Sequence, residues 1–361
     1  MVASNQFSYV KFHESDLEEI AMEVLSDYEF EMGYIYCPSS ELHRQQDEVL
    51  IIDDFYLYLI KRYPDLSGTE IAKIEARVRE TENTPYETNR SFLRILANGF
   101  DLKRDDSNKS DVHIELADFK NYENNTFRVV NQFEVRQRQL RIPDGVIFLN
   151  GLPIVLFEFK NPANDIADTH AAYEQVAVRY ARDIPRLMSY NAFTVLSDGV
   201  NSKYGSIYAP YKFFNTWRQV EEEDEESQGI GAFYALLEGL LRKDRLLAMI
   251  KNFIFFPDAL QQDDETKIIA RPPQYFAATK LHESIKLHMK PHGDGRGGTY
   301  FGTTGCGKSY TMLFLTRMLM RDPQMESPTV LLITDRTDLD DQLSGQFTSA
   351  KEFIGDSDVV Q

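Results

Sequence analysis

Cysteine is nearly missing from these 361 residues: only Cys37 and Cys306 occur. Two such thiols exclude a disulfide framework and point to a reducing cytoplasm. Long apolar runs are missing too. No stretch approaches the roughly 18 consecutive apolar residues of a membrane span, and residues 1–12 lack the charged-then-apolar pattern of a secretory signal. Basic charge is in deficit, with 39 Lys and Arg against 57 Asp and Glu and a net charge of −18. That is awkward for a nucleic-acid binder, although an acidic total leaves room for a local basic channel. Part of the excess sits in Glu221-Glu222-Glu223-Asp224-Glu225-Glu226, which reads as a solvated loop. Zinc-type spacing is absent: His170, His282 and His288 form no ligand pattern with a cysteine and read as packing or surface residues. No internal repeat occurs. What remains is an ordinary globular composition, 42% apolar and 12% aromatic, over a length that suggests two domains.

The most informative stretch that is present lies between Pro143 and Lys160. Two apolar runs, Val146-Ile147-Phe148-Leu149 and Pro153-Ile154-Val155-Leu156-Phe157, flank Asn150-Gly151, a strong hairpin signal. Both runs are apolar on both faces, as in the covered centre of a sheet. At one end of this hairpin stand Asp144, Glu158 and Lys160. Two carboxylates and a lysine at a strand end are what a magnesium-dependent phosphodiesterase needs. Magnesium takes hard oxygen ligands at roughly 2.0–2.1 Å and keeps several waters, and the lysine can steady the nucleophile or the charge building on the phosphate. Register decides whether the carboxylates meet. A strict two-residue loop pairs Leu149 with Leu152 and sets Asp144 opposite Phe157, away from Glu158. Pairing Leu149 with Pro153 sets Asp144 across from Glu158, with β-carbons about 4.5–5.5 Å apart. The chemistry therefore predicts a three-residue loop or a bulge. Nearby Arg128, Arg136, Arg138 and Arg141 are candidates for lining DNA, or equally for a solvated strand face.

A second motif, Gly302-Thr303-Thr304-Gly305-Cys306-Gly307-Lys308-Ser309, fits G-x-x-x-x-G-K-[ST]. Its glycines let backbone amides close on a phosphate, Lys308 reaches the terminal phosphates and Ser309 contacts magnesium. Gly297 to Phe301 predicts a short strand before it, and Ser309 to Arg321 a largely buried helix after it, placing phosphate at a helix N-terminus. Val330 to Asp335 predicts a second strand. Its terminal Asp335 is read as a strand-end element facing nucleic acid rather than the magnesium-holding aspartate of an ATPase.

Along the chain, apolar spacing predicts a helix from Asp16 to Asp27. Glu18, Glu19 and Glu23 on it are candidate further metal carboxylates or simply a solvated face. Helices are expected over 48–63, 69–80 and 86–98, then a loop-rich stretch from 106 to 125 broken by an alternating run from Val112 to Phe119. A sheet is expected from near Phe127 through the hairpin to Ala192–Leu196, with a helix from Asp168 to Arg182 crossing between. An extended aromatic segment spans 205–217, one or two helices span 230–250, and a domain boundary falls near residue 255.

Several blocks, in this order, resemble the restriction (R) subunit of type I restriction-modification enzymes. They are Val129-Val130-Asn131-Gln132-Phe133, Arg141-Ile142-Pro143-Asp144-Gly145, Asn150-Gly151-Leu152-Pro153 and Glu158-Phe159-Lys160. Ser197-Asp198-Gly199, Thr304 to Ser309 and Thr334-Asp335-Arg336-Thr337-Asp338-Leu339-Asp340 continue the series. The resemblance covers about residues 120 to 350. It implies an α/β chain: a PD-(D/E)xK endonuclease domain with an N-terminal helical region over 1–255, a mixed sheet with flanking helices. The start of a RecA-like P-loop motor lobe would follow over 256–361. Asp144, Glu158 and Lys160 would then carry nuclease chemistry, with Asp144 and Glu158 on Mg2+. Gly302, Thr304, Gly305, Cys306, Gly307, Lys308 and Ser309 would hold ATP and its Mg2+. Gln274, within Arg271-Pro272-Pro273-Gln274-Tyr275, would read the adenine edge. The family has a supporting glutamine and tyrosine four apart; here Gln175 and Tyr180 are five apart. On a regular helix they lie some 140° apart and cannot share a face, so either Arg179 substitutes or the pair is plain packing.

The resemblance further implies Mg-dependent cleavage of double-stranded DNA, coupled in a full-length subunit to ATP-driven translocation. The partners implied are a modification (methyltransferase) subunit and a specificity subunit, the latter carrying DNA recognition. Only some twenty residues follow Asp340, so the chain is read as an N-terminal part that binds nucleotide weakly and does not translocate DNA. A stand-alone nuclease-ATPase of another defence or repair system, and an assembly module without metal, are the competing readings.

Overall fold

In the computed structural model, residues 13–28, 32–161, 168–258, 265–334 and 337–355 are described, the side chains of Asp338 and Leu339 excepted. Contacts group the chain into two units interleaved in sequence. One comprises Met1–Phe55, Thr126–Ile207 and Trp217–Arg242; the other comprises Tyr56–Asn125, Tyr208–Thr216 and Lys243–Gln361. These packing units cut across the boundary near residue 255, which rests on motif order.

The first unit is built on a six-stranded mixed sheet. Its strands are β1 (Ile35–Tyr36), β2 (Phe127–Asn131), β3 (Gly145–Leu149), β4 (Leu152–Phe159), β5 (Phe193–Ser197) and β6 (Ser202–Gly205), hydrogen-bonded in that spatial order. β1/β2 and β4/β5 are parallel and the remaining pairs antiparallel. Every residue of β3, β4 and β5 is buried, which accounts for their unbroken apolar sequences. β1 lies outside the expected sheet, which was read as starting near Phe127; two residues carry no readable period.

Asn150 and Gly151 make a two-residue turn with φ of 50° and 78°, the left-handed pair that such hairpins require. The Asn150 side chain accepts from the Thr126 amide at 2.7 Å, tying the turn to the start of β2. At Gly151 a Cβ would run into the Ile51 carbonyl oxygen, so glycine is needed for close approach as well as for φ.

The parallel step from β4 to β5 crosses through a helix whose first part, α2 (Thr169–Glu174), is capped by Asp168 accepting from the His170 and Ala171 amides. The middle, Gln175–Tyr180, is a π-turn, and α3 (Ala181–Asp183) completes it. Helix α1 (Glu14–Ser26) packs on β2 and on α4 (Ile230–Leu240). Leu17, Ala21, Val24 and Leu25 of α1 are buried, while Glu19 and Glu23 are exposed. The Tyr34 hydroxyl donates to the Leu241 carbonyl at 2.6 Å.

The second unit contains helices at Gly68–Val78, Pro85–Asn98 and Lys243–Asn252, all close to their expected spans. The first two begin with a reciprocal cap, Ser67 with Glu70 and Thr84 with Glu87. The unit also holds α5 (Pro272–His288), α6 (Lys308–Arg321) and a helix at Thr337–Thr348. Two expected strands are corrected here. Gly297 to Phe301 and Val330 to Thr334 take no strand hydrogen bonding, and Phe301, Leu331 and Ile333 are 93%, 77% and 83% exposed. A strand of a parallel sheet is stabilised by neighbours along both edges and cover on both faces. Neither run has a strand partner among the described residues. Asp335 and Arg336 lie outside the described residues. No helix among the described residues is long and apolar enough to cross a membrane.

Candidate active site

The register of β3 and β4 brings the carboxylates together. Leu149 pairs with Leu152 and Phe148 with Pro153, but Ile147 pairs with Val155, so Ile154 is an extra residue on β4. Of the two alternatives expected, a longer loop or a bulge, the chain adopts the bulge and keeps the tight turn. Pro153 has no amide hydrogen for the ladder, and the break follows directly after it. The displaced Ile154 carbonyl accepts instead from the Ala192 amide at 2.7 Å. Past the bulge Gly145 faces Phe157, and one more step sets Asp144 across from Glu158. Asp144 Oδ2 accepts from the Phe159 amide at 2.6 Å.

Glu158 is 1% exposed inside an otherwise apolar strand. Its Oε1 accepts from Lys160 Nζ at 2.6 Å and its Oε2 from the Tyr180 hydroxyl at 2.9 Å. Lys160 Nζ also donates to the Phe159 carbonyl at 2.8 Å. The Lys160 amide donates to the Ser197 carbonyl at 2.9 Å, which fixes the lysine to the end of β5. There the Ser197-Asp198-Gly199 block forms the turn into β6. Asp198 Oδ1 accepts from the Val200 and Asn201 amides, and the Ser197 hydroxyl meets that of Ser202 at 2.9 Å.

Burial pushes the Asp144 carboxyl up to about 6, against the pull of the Phe159 amide and Lys160, with Glu14 and Glu18 adding to the rise. Burial, and then the charge of Asp144, push Glu158 up to about 8. Burial is the main cause of both rises and the Lys160 ammonium offsets it only in part, so a further cation between the two carboxylates would favour their ionised forms. Among the described residues no group of three or more His, Cys, Asp or Glu is arranged to hold a metal. A cation here would therefore take two protein carboxylates, leaving positions for water and substrate oxygens, as magnesium prefers.

The five-residue spacing of Gln175 and Tyr180 is resolved by the π-turn. In a π-helix hydrogen bonds run from i to i+5, so residues five apart come onto one face. Gln175 Nε2 reaches the Tyr180 hydroxyl at 2.9 Å, and that hydroxyl reaches Glu158. The two cannot share a face on a regular helix; the helix is not regular. Arg179 does not take the place of Tyr180 at Glu158, but lines an adjoining pocket. If the two carboxylates hold a divalent cation, Tyr180→Phe is expected to weaken its binding by roughly 10- to 100-fold, as loss of an outer partner of a metal ligand does. Calorimetric titration of the chain with a divalent cation checks this, and unchanged affinity would reduce the pair to packing.

Helix α1 contributes one carboxylate that sequence reasoning considered and one that it missed. Glu18 accepts from Asn131 Nδ2 at 2.7 Å and from Gln132 Nε2. Glu14 accepts from the Asn161 amide at 3.2 Å. The two are four residues apart on one helical face, a spacing that was readable once Glu18 was suspected. Gln132 holds a left-handed φ of 47°, and its amide donates to the Asp144 carbonyl at 3.0 Å.

In the second unit, Gly305 and Gly307 of the phosphate loop have φ of 82° and 86°. Lys308 Nζ folds back on the loop, donating to the Gly302 and Thr303 carbonyls at 2.9 and 3.0 Å. The Cys306 amide donates to the Thr303 carbonyl at 3.3 Å. Thr304 sits at the exposed loop tip, and Ser309 lies in the first turn of α6. Gln274 sits in the first turn of α5 and is 3% exposed. Its Oε1 accepts from the Arg271 amide at 2.8 Å, and its Nε2 donates to the Gly307 carbonyl at 3.3 Å. Reading a base edge would require this amide to leave both partners. Of the four arginines near the hairpin, Arg128 is paired with Asp54, Arg141 with Asp183, and Arg136 meets Gln46.

Two known families match this chain. Residues 11–213 match the family described as the type I restriction enzyme R protein N terminus, and residues 273–359 match the SWI2/SNF2 ATPase family. The type I restriction enzyme HindI endonuclease subunit of Haemophilus influenzae is 30% identical over 355 residues, 95% of this chain and 33% of that one. The MjaIXP endonuclease subunit of Methanocaldococcus jannaschii is 31% identical over 349 residues, 88% of this chain and 33% of that one. The SsaAORF53P endonuclease subunit of Staphylococcus saprophyticus is 27% identical over 309 residues, covering 84% and 30% respectively. The chain thus spans about a third of the length of these relatives.

Proposed function

Because the chain belongs to the type I restriction enzyme R protein N-terminal family, we propose that it supplies the Mg-dependent, PD-(D/E)xK-type endonuclease centre of such an R subunit, together with the opening segment of its ATP-driven motor. Its substrate in this reading is double-stranded DNA. Its partners are the modification and specificity subunits of the same system, and its cofactors are Mg2+ and ATP. The observation that carries the reading is the bulged register that sets Asp144 across from Glu158, with Lys160 Nζ 2.6 Å from Glu158 Oε1.

Asp144 and Glu158 are the residues that would hold magnesium, which when bound polarises the phosphoryl oxygen and lowers the pKa of a water. The protein's own groups do the positioning. The Phe159 amide fixes one Asp144 oxygen, and Tyr180 and Lys160 fix both oxygens of Glu158. Lys160, itself fixed to the Ser197 carbonyl, presents an ammonium to the charge that grows on the phosphate. In the phosphate loop Lys308 would exchange the Gly302 and Thr303 carbonyls for phosphate oxygens, with Ser309 on the magnesium of the nucleotide.

The raised carboxyls make cation binding pH-dependent, because ligands must lose their protons first. Mg2+ is expected to raise the thermal midpoint of the 361-residue chain at about pH 8 and to do so far less at about pH 5.5. Thermal denaturation with and without Mg2+ at the two pH values tests the centre without relying on turnover. Equal effects at both would mean that the pair does not bind the ion.

A further inference from the structure

Beside the carboxylate centre, and within the same unit, two arginine side chains meet at one buried carboxylate, and three further arginines stand on the segments joined there. Asp183 is 1% exposed. Arg182 reaches it at 2.7 Å and Arg141 at 2.5 Å, and together they hold its carboxyl far below the usual range. Asp183 also receives the neighbouring turn: its backbone carbonyl accepts from the Arg138 amide at 3.0 Å. The Arg186 amide donates to Gln137 Oε1 at 3.0 Å, closing the same junction. Arg179 precedes Asp183 by one helical turn. Arg138, Arg179, Arg182 and Arg186 are exposed. Arg138, Arg179 and Arg186 have no carboxylate partner among the described residues.

In a chain of net charge −18, such a concentration of guanidinium groups runs against the whole-chain balance. Scattered surface arginines would find carboxylates easily in so acidic a protein. These three do not, and the one acid among them is already shared by Arg141 and Arg182. The cluster also touches the centre through Tyr180. A pocket of about 240 Å³ is lined by Leu140, Arg141, Ile142, Gln175, Arg179 and Tyr180, and Tyr180 in its wall donates to Glu158 at 2.9 Å. One side chain therefore separates an arginine-lined pocket from the buried Glu158 carboxylate.

We propose that this face is a binding track for the sugar–phosphate backbone of duplex DNA, seating phosphates that flank the one presented to Glu158. The inference rests on the nuclease reading for what lies at Glu158, but the track has its own signature. Arginine matches phosphate oxygens with paired N–H groups, and each neutralised phosphate releases counterions. Arg138, Arg179 and Arg186 supply the free charge. Asp183 holds Arg141 and Arg182 in place and orients the turn that carries Arg138.

The test uses the 361-residue chain and a fluorescein-labelled duplex of about 30 base pairs in EDTA, followed by anisotropy from about 50 to 200 mM NaCl. Combining Arg138→Gln, Arg179→Gln and Arg186→Gln is expected to reduce the slope of log K against log salt by about 2.7, at 0.9 per lost phosphate contact, and to weaken binding at low salt about 100-fold. The control combines Lys61→Gln, Lys103→Gln and Lys120→Gln, the same change in net charge at exposed positions elsewhere. It should leave the slope within about 0.5 of its starting value. The proposal is overturned by an unchanged slope in the arginine variant, by an equal fall in the control, or by no salt-dependent binding of the unaltered chain. It is likewise overturned if the arginine variant keeps its DNA slope but fails to assemble with the other subunits, which would make the face a protein-docking surface. Asp144→Asn separates the two readings. It should bind the duplex at least as well while losing cleavage. An assembled enzyme that never cuts DNA, yet loses its salt slope in the arginine variant, would sink the nuclease reading and spare the track.

Discussion

Asp144→Asn is expected to lower DNA cleavage by the assembled enzyme by about 10³-fold or more, since it removes one of the two carboxylates that the hairpin sets across from each other. Asparagine keeps an oxygen for the Phe159 amide, so the hairpin should persist. The same substitution should make the metal-free chain more stable at alkaline pH. Burial raises the Asp144 carboxyl from its ordinary value of 3.8 to about 6, so the folded chain binds its proton more tightly than the unfolded chain does. That contribution to stability is complete below about pH 4 and is lost as pH rises through about 6. The loss amounts to roughly 3 kcal/mol by about pH 8, where the asparagine variant escapes it, and vanishes at about pH 4. Glu158, raised to about 8 in the parent, continues the decline there through a higher window; in the variant burial still raises it, but the charge of Asp144 no longer adds to the rise. Thermal midpoints across this range, in EDTA, measure the effect. A variant less stable than the parent at alkaline pH would show that the Asp144 charge is satisfied without a cation. Cleavage at the parental rate would remove Asp144 from the mechanism.

Lys308→Ala carries the second large effect. In an assembled enzyme that carries the full-length subunit, it should abolish ATP-driven translocation and reduce ATP hydrolysis by about 10²- to 10³-fold, as loss of a cation facing a transferring phosphoryl group does. Cleavage coupled to movement should fall with it, while Mg2+ binding at Asp144 and Glu158 stays as it was. The alanine also removes two hydrogen bonds inside the loop, to the Gly302 and Thr303 carbonyls, but both carbonyls are open to water near the exposed loop tip. Destabilisation of the second unit should therefore be slight. Single-turnover ATP hydrolysis on long DNA, beside a Mg2+ titration of the first unit, separates these expectations. Hydrolysis at the parental rate would mean that Lys308 does not face the nucleotide.

Helices were the easiest elements to read in advance. Those at 14–26, 68–78 and 85–98 follow from apolar spacing, which depends on residues three or four apart. The hairpin was equally legible, because Asn-Gly dictates its own turn and the apolar runs exclude an exposed sheet. Runs 297–301 and 330–334 were misread for the opposite reason. Their place around the phosphate loop, and for 330–334 an apolar sequence, suggests strands, but a strand exists only where another strand lies beside it.

Asp144, Glu158, Lys160 and the phosphate loop were named by residue type and order alone, since local chemistry limits what can stand in such motifs. Tertiary structure decided how they meet. The bulge at Ile154 turns Asp144 toward Glu158, where a regular ladder would have turned it away. The π-turn sets Gln175 and Tyr180 on one face across a spacing that an α-helix forbids. Both are one-residue irregularities that leave no mark in a periodic pattern. Their stability comes from packing and hydrogen bonds to distant segments such as Ala192 and Glu158, and no local propensity encodes those partners. The meeting of Arg141 and Arg182 at Asp183, where the Arg138 amide also binds, is of the same kind: the charges stand in the sequence, and only the fold brings them together.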